Sequence, residues 1–173
     1  DDKSILNYYE IKSNKPKLLL LHAQGTNSLS FTNVIKKLSK HFHIYLVDYY
    51  GHGKSSFNRE KYNLIDIGND VIRFIEEVIK DNVSVLGHSS GGLIASYIAS
   101  NCELCAGLIL EDPPFFASVG DRRFNTYNYV DLSTVCHNFI SQDEIKDFTY
   151  YYFINQYCWN FFPDDSREKI RTK

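Results

Sequence analysis

The sequence has no apolar run typical of a membrane protein, no segment typical of a secretory signal, and no methionine. Its longest apolar stretches, such as 18–21 and 108–110, are far shorter than the roughly 20 residues that a membrane span needs. The start, Asp1-Asp2-Lys3, has no basic segment followed by an apolar core, so we expect that a secretory signal is absent or has been removed. The default compartment that we expect is the cytoplasm. Methionine is absent altogether, including an initiator, and we therefore expect a trimmed chain or one that has lost non-standard residues.

The sequence also lacks a large net charge and a cysteine pattern typical of disulfide-rich or zinc-binding proteins. The formal net charge is −2, which favours neither nucleic acid nor an anionic membrane as a partner. The four cysteines, at 102, 105, 136 and 158, are too few for a disulfide scaffold. Cys102 and Cys105 form a single C-x-x-C without the second ligand pair that a zinc site needs. We expect ordinary reduced thiols, no metal and no cofactor.

Strand and helix patterns alternate over the first 112 residues. Unbroken apolar runs are typical of strands buried on both faces, and a spacing of three and four residues is typical of helices. Such alternation predicts a mostly parallel sheet with helices on both faces, and places functional groups at the carboxyl ends of the strands. The predicted strands are 5–11, 18–22, 44–47, 83–86 and 108–110, and the predicted helices are 30–40, 67–79 and 92–100.

The pattern changes after Pro114. The remainder is rich in aromatic residues as far as Phe162, and 143–159 has helical spacing. No further strand is convincing, which favours a helical insertion above the strand ends. We therefore divide the chain into a sheet-forming part, 1–114, and a helical cap or lid, 115–173.

The most specific motif is Gly87-His88-Ser89-Ser90-Gly91, directly after a predicted strand and directly before a predicted helix. A nucleophile elbow needs a tight turn in this context, with the serine backbone strained and glycines where chains pass closely. The start of the following helix stabilises negative charge beside the hydroxyl. This context distinguishes the motif from a chance match in a glycine- and serine-rich turn.

Two further motifs follow predicted strands. The first, His22-Ala23-Gln24-Gly25, lies where an acyl-transfer site takes a backbone amide for its oxyanion hole. The second is the run from Asp48 to Ser55. Its Gly-Lys-Ser does not complete a phosphate-binding loop, because Asp48 stands where that loop needs its first glycine. A turn built on two glycines explains this run better.

Together these motifs resemble those of the α/β-hydrolase superfamily, in the cap-containing, serine-nucleophile group of esterases and lipases. Residues 22–25 are similar to its His-Gly-x oxyanion loop, 48–55 to its Asp-x-x-Gly-His-Gly-x-Ser turn and 87–91 to its elbow. The resemblance covers about residues 5–114, and one departure is Ala23 in place of the usual glycine. It implies the three-layer α/β-hydrolase fold with a mostly parallel sheet and a helical cap.

The resemblance also implies roles for individual residues. Ser89 is the expected nucleophile, and the backbone amides of Gln24 and Ser90 are the expected oxyanion hole. The family places its acid and its histidine after later strands, so we expect most of the triad beyond Lys173 and the present chain to be incomplete as an enzyme. Asp112 is the one visible candidate for the acid, although the Glu-Asp-Pro-Pro stretch more simply ends a strand.

The expected reaction is hydrolysis of an ester-type bond in a small or medium-sized, partly apolar molecule. Two alternatives stay open, because a fold does not determine a reaction. One is a carbon–carbon bond hydrolase or lyase on the same fold, and the other is a non-catalytic ligand-binding relative that keeps the pocket.

Overall fold

The computed structural model describes residues 4–59 and 63–115. Except for Phe115, the predicted cap at 115–173 lies outside the described residues, as does the predicted helix at 143–159. The described strands are β1 (Asn7–Ile11), β2 (Lys17–Leu21), β3 (His43–Asp48), β4 (Val83–His88) and β5 (Cys105–Glu111), and the helices are α1 (Thr32–Leu38), α2 (Leu64–Phe74) and α3 (Ser90–Asn101).

The described strands form one mixed sheet in the order β1-β3-β2-β4-β5. Strands β2 to β5 are parallel, whereas β1 pairs antiparallel with β3. Strand β2 is central, with parallel neighbours on both sides, and its four leucines are buried. This position explains why its sequence is an unbroken apolar run. The prediction of a mostly parallel sheet is confirmed.

Apolar side chains lie on both faces of the sheet, in two separate clusters. Leu19 and Leu21 pack in the cluster that includes side chains of α2 and α3. Leu18 and Leu20 pack with Phe31 on the other face. Successive residues of a strand point to opposite faces, so the leucine run of β2 contributes to both cores. The result is a layer of sheet between two layers of helix.

The helices keep their predicted places, but their ends differ from the sequence prediction. Helix α2 begins at Leu64, three residues before the predicted start, because the Asn63 side chain accepts the backbone N–H of Asp66 at 2.8 Å. This is an ordinary N-cap. A π-helical turn, Ile75–Ile79, extends α2, and Lys80 follows as its C-cap. Helix α1 is preceded by a short 3₁₀ turn, Ser28–Phe31. Within the described residues, no helix is long and apolar enough to cross a membrane.

Candidate active site

Ser89 lies in the turn that joins β4 to α3, at the carboxyl end of the sheet. Its backbone has φ 52° and ψ −120°, a region that non-glycine residues occupy at a cost of roughly 1–3 kcal/mol. Two hydrogen bonds hold this conformation. The Ser89 N–H donates to the carbonyl of Glu111 at 2.8 Å, and the Ser89 carbonyl accepts the N–H of Gly92 at 2.8 Å.

The glycines around Ser89 are required by close packing. A β-carbon at Gly87 would overlap the carbonyl group of Gly91, and one at Gly91 would overlap the carbonyl of Leu21. A β-carbon at Gly92 would lie 2.8 Å from the side chain of Pro113. The three glycines therefore let α3 begin directly against β2 and β4, with Ser89 at the tip of the turn.

The loop after β2 meets the first turn of α3. The backbone N–H of Gln24 donates to the Ser90 hydroxyl at 2.6 Å, so the two residues predicted to form the oxyanion hole are in contact. Ser90 is the first residue of α3, and such an amide has no acceptor inside its own helix. Ala23, which replaces the usual glycine, does not have a positive φ, whereas Gly25 has φ 75°.

Tyr49 and His52 belong to the site although the sequence did not single them out. The buried Tyr49 hydroxyl donates to the carbonyl of His22 at 2.8 Å and lies 3.5 Å from the Ser90 hydroxyl. The Gly25 N–H donates to Nε2 of His52 at 3.1 Å. Tyr49 directly follows β3, and its position at a strand end was the available signal. The sequence shows that His52 lies in a turn, but not which loop that turn faces.

His22 is wholly buried, and its ring stacks on that of Tyr49 with centroids 3.9 Å apart. Burial lowers the pKa of His22 to about 4, so the ring is neutral near pH 7. Its Nδ1 lies 2.8 Å from the carbonyl oxygen of Ala23 and therefore carries the proton. Nε2 is buried without a hydrogen-bond partner among the described residues. Through these contacts His22 joins the loop at 22–25 to Tyr49.

Asp48 links the turn after β3 to strand β1 and to the 3₁₀ turn before α1. Its carboxylate accepts the backbone N–H of Ser28 at 2.8 Å, the backbone N–H of Lys54 at 3.0 Å and the side-chain amide of Asn7 at 2.8 Å. Burial acts to raise the pKa of Asp48, but these hydrogen bonds together outweigh it and lower the pKa below its ordinary value. Gly53, with φ 55°, leaves the space that the carboxylate occupies.

Asp112 follows β5 and is exposed, with φ 49°. Among the described residues, its carboxylate makes no hydrogen bond, and no histidine ring is hydrogen-bonded to the Ser89 hydroxyl. The structure therefore brings Ser89, Ser90 and Gln24 together, while a role of Asp112 as the acid stays a prediction. In the same part of the chain Cys102 and Cys105 are free thiols, and no three side chains are grouped to hold a metal ion.

Comparison with known proteins identifies the family. Residues 16–144 match the family model described as the alpha/beta hydrolase fold. Because this match spans most of the chain, the protein belongs to the α/β-hydrolase family. A hydrolase from Pseudomonas aeruginosa has the same fold, with a TM-score of 0.70 and 21% identity over 98% of this chain and 62% of that one.

Several curated relatives carry the names of esterases or serine hydrolase-like proteins. A pimeloyl-(acyl-carrier protein) methyl ester esterase from Photorhabdus laumondii is 37% identical over 109 residues, which are 60% of this chain and 39% of that protein. A human serine hydrolase-like protein is 31% identical over 117 residues, which are 66% of this chain and 58% of the relative. The chain thus spans about two fifths to three fifths of these relatives.

Proposed function

We propose that this chain carries the nucleophile and the oxyanion-binding amides of a serine hydrolase that cleaves carboxylic esters. The backbone of Ser89 carries the proposal, because a serine strained to φ 52° at a strand-to-helix turn is unusual without a functional reason. This turn places Ser89 at the carboxyl ends of the strands, beside the first backbone amides of α3. Helix N-termini stabilise negative charge there.

The proposed chemistry follows from these positions. The Ser89 Oγ attacks the carbonyl carbon of the ester, its proton passes to a histidine base, and the carbonyl oxygen becomes an oxyanion. The N–H groups of Gln24 and Ser90 stabilise that oxyanion by hydrogen bonding. The base then protonates the leaving alcohol, and a water molecule hydrolyses the acyl-enzyme to release the acid and free Ser89.

A cavity beside the oxyanion loop supports a small or medium-sized, partly apolar substrate. It has a volume of about 300 Å³ and is lined by both apolar and polar side chains. Such a combination is typical of small-molecule sites. The apolar lining residues are Leu64, Ile67, Leu93 and Ile94, and the polar ones are Gln24, Tyr49, His52, Asn63 and Ser90.

A fluorophosphonate probe tests the role of Ser89 directly. We expect the purified full-length protein to be labelled at Ser89, as located by peptide mass spectrometry, and Ser89→Ala to lose the label. Ser100→Ala is the matched control, because Ser100 lies near the far end of the same helix and its hydroxyl only bonds the carbonyl of Ser96. Labelling that persists in Ser89→Ala would contradict the proposal.

A panel of short-chain chromogenic esters separates the proposed reaction from its alternatives. An esterase should turn over several members of the panel at rates that depend on Ser89. A protein that is labelled at Ser89 but turns over no ester would instead favour carbon–carbon bond hydrolysis. A protein that is neither labelled nor active would favour a ligand-binding role.

A further inference from the structure

The hydrogen bond from Gln24 to Ser90 assigns an acceptor to an amide that the proposed reaction needs. The N···O distance of 2.6 Å is shorter than the usual 2.9–3.0 Å for this type of bond. The two residues are 66 positions apart in the chain, so local backbone geometry does not produce the contact. In the free protein the Gln24 N–H is therefore already directed at the elbow.

The acceptor of this bond is the side chain of the residue that supplies the second proposed donor. Ser90 offers its backbone N–H at the start of α3 and its hydroxyl oxygen to Gln24. A single residue thus sets the distance between the two amides. An oxyanion hole gains its effect from donors that are aimed before the reaction begins, so such a link has a direct chemical use.

The Ser90 hydroxyl also has a second hydrogen-bond partner, the hydroxyl of Tyr49. The Tyr49 oxygen lies 3.5 Å away, and the proton of Tyr49 is already donated to the carbonyl of His22. The Tyr49 oxygen can therefore act only as an acceptor toward Ser90. Burial raises the pKa of Tyr49 to about 12, which keeps this phenol protonated and the arrangement unchanged near pH 7.

We propose that the Ser90 hydroxyl is a positioning residue, which holds the Gln24 amide toward the elbow in the free protein and yields it to the substrate oxygen. When the oxyanion forms, it takes the place of the hydroxyl as the acceptor of the Gln24 N–H. The hydroxyl keeps the Tyr49 oxygen as the acceptor of its own O–H, so it still has a hydrogen-bond partner when the Gln24 N–H is taken by the oxyanion. This inference rests on the proposed function for its catalytic part, whereas the link between Ser90 and Gln24 stands on geometry.

The test compares Ser90→Ala with Ser90→Thr, which restores a hydroxyl at the same position. With the best chromogenic ester, we expect Ser90→Ala to lower kcat about 10- to 100-fold with KM changed by less than about threefold, since misplacing one donor affects mainly the transition state. Ser90→Thr should recover most of kcat. An equal loss in both variants, or a loss confined to KM, would overturn the positioning role.

A second measurement does not depend on activity. In the NMR spectrum, the chemical shift of the Gln24 backbone amide proton should lie further downfield in the wild-type protein than in Ser90→Ala. In Ser90→Ala this proton should also exchange with solvent about tenfold faster. An unchanged Gln24 amide in Ser90→Ala would overturn the inference even when Ser89 is labelled and the proposed function stands. Conversely, the Gln24 amide signal could move upfield in Ser90→Ala while Ser89 of the wild-type protein is not labelled. That result would refute the proposed function but support the hydrogen bond between Gln24 and Ser90.

Discussion

Gly87 and Gly91 approach so closely that a β-carbon on Gly87 would occupy the space of the Gly91 carbonyl group. The obstacle is backbone in the first turn of α3, and backbone cannot turn aside as a side chain does. This single contact fixes how near the helix can begin to strand β4. It also fixes where the tip of the turn, Ser89, stands above the sheet.

Gly87→Ala should therefore destabilise the protein strongly. We expect a loss of about 3 kcal/mol in the free energy of unfolding, at the upper end for overpacking. Gly107→Ala is the matched control, since its β-carbon would meet only the Ser84 hydroxyl, at 3.0 Å, and that side chain can rotate. Urea denaturation of both variants measures the difference. Equal midpoints would show that the elbow is looser than its packing indicates.

Replacing Ser89 itself should separate stability from activity. Ser89→Gly and Ser89→Ala both remove the hydroxyl, but only glycine adopts φ 52° without strain. Relief of strain, roughly 1–3 kcal/mol, exceeds the roughly 0.5–1 kcal/mol that glycine costs in backbone freedom. We expect Ser89→Gly to be about 1 kcal/mol more stable than Ser89→Ala in thermal unfolding. A less stable glycine variant would argue that Ser89 is not strained.

Asp48→Asn should loosen the turn that supports the oxyanion loop. The asparagine keeps one acceptor oxygen, so at least one of the buried or partly buried donors from Ser28, Lys54 and Asn7 loses its partner, at a cost of about 1–3 kcal/mol. Because the pKa of Asp48 is lowered in the folded protein, this stabilisation is present above the ordinary pKa of a carboxyl and is lost as the pH falls through the folded value.

Denaturant unfolding at pH 7 and at pH 3 measures the effect of Asp48→Asn. The difference from wild type should be smaller at pH 3. Asp81→Asn is the control, because Asp81 is exposed and pairs only at the surface with Lys17, and such pairs contribute little. A variant at Asp48 with wild-type stability at pH 7 would contradict the role described for this carboxylate.

His22 should make the protein less stable in mild acid. Its pKa is lowered by burial to about 4, so between the ordinary value near 6.5 and 4 the unfolded chain binds a proton that the folded protein does not. The contribution is fully present above pH 6.5 and declines as the pH falls, on the order of 3 kcal/mol in total. His22→Gln should reduce the fall in the free energy of unfolding between about pH 7 and 4.5, as measured by denaturant unfolding. His41→Gln, at an exposed position, should leave that fall unchanged.

The sequence predicts the sheet and the elbow because their signals are local. The leucine run of β2 and the glycines around Ser89 each express a constraint that acts within a few residues. The antiparallel pairing of β1 and the contact between Gln24 and Ser90 depend instead on residues distant in the chain. No spacing within a motif contains that information. The start of α2 was misjudged for a simpler reason, since the Asn63 cap precedes the first residue of the apolar pattern.

The parallel pairing of β2 with β4 has a consequence for the time course of folding. Leu21 lies opposite Gly87 in the sheet, so the loop at 22–25 and the turn at Ser89 become neighbours only after the long stretch between β2 and β4 has folded. Closing such loops is slow compared with forming helices. During refolding, helical signal should return first, and the ability of Ser89 to react with a probe should return last.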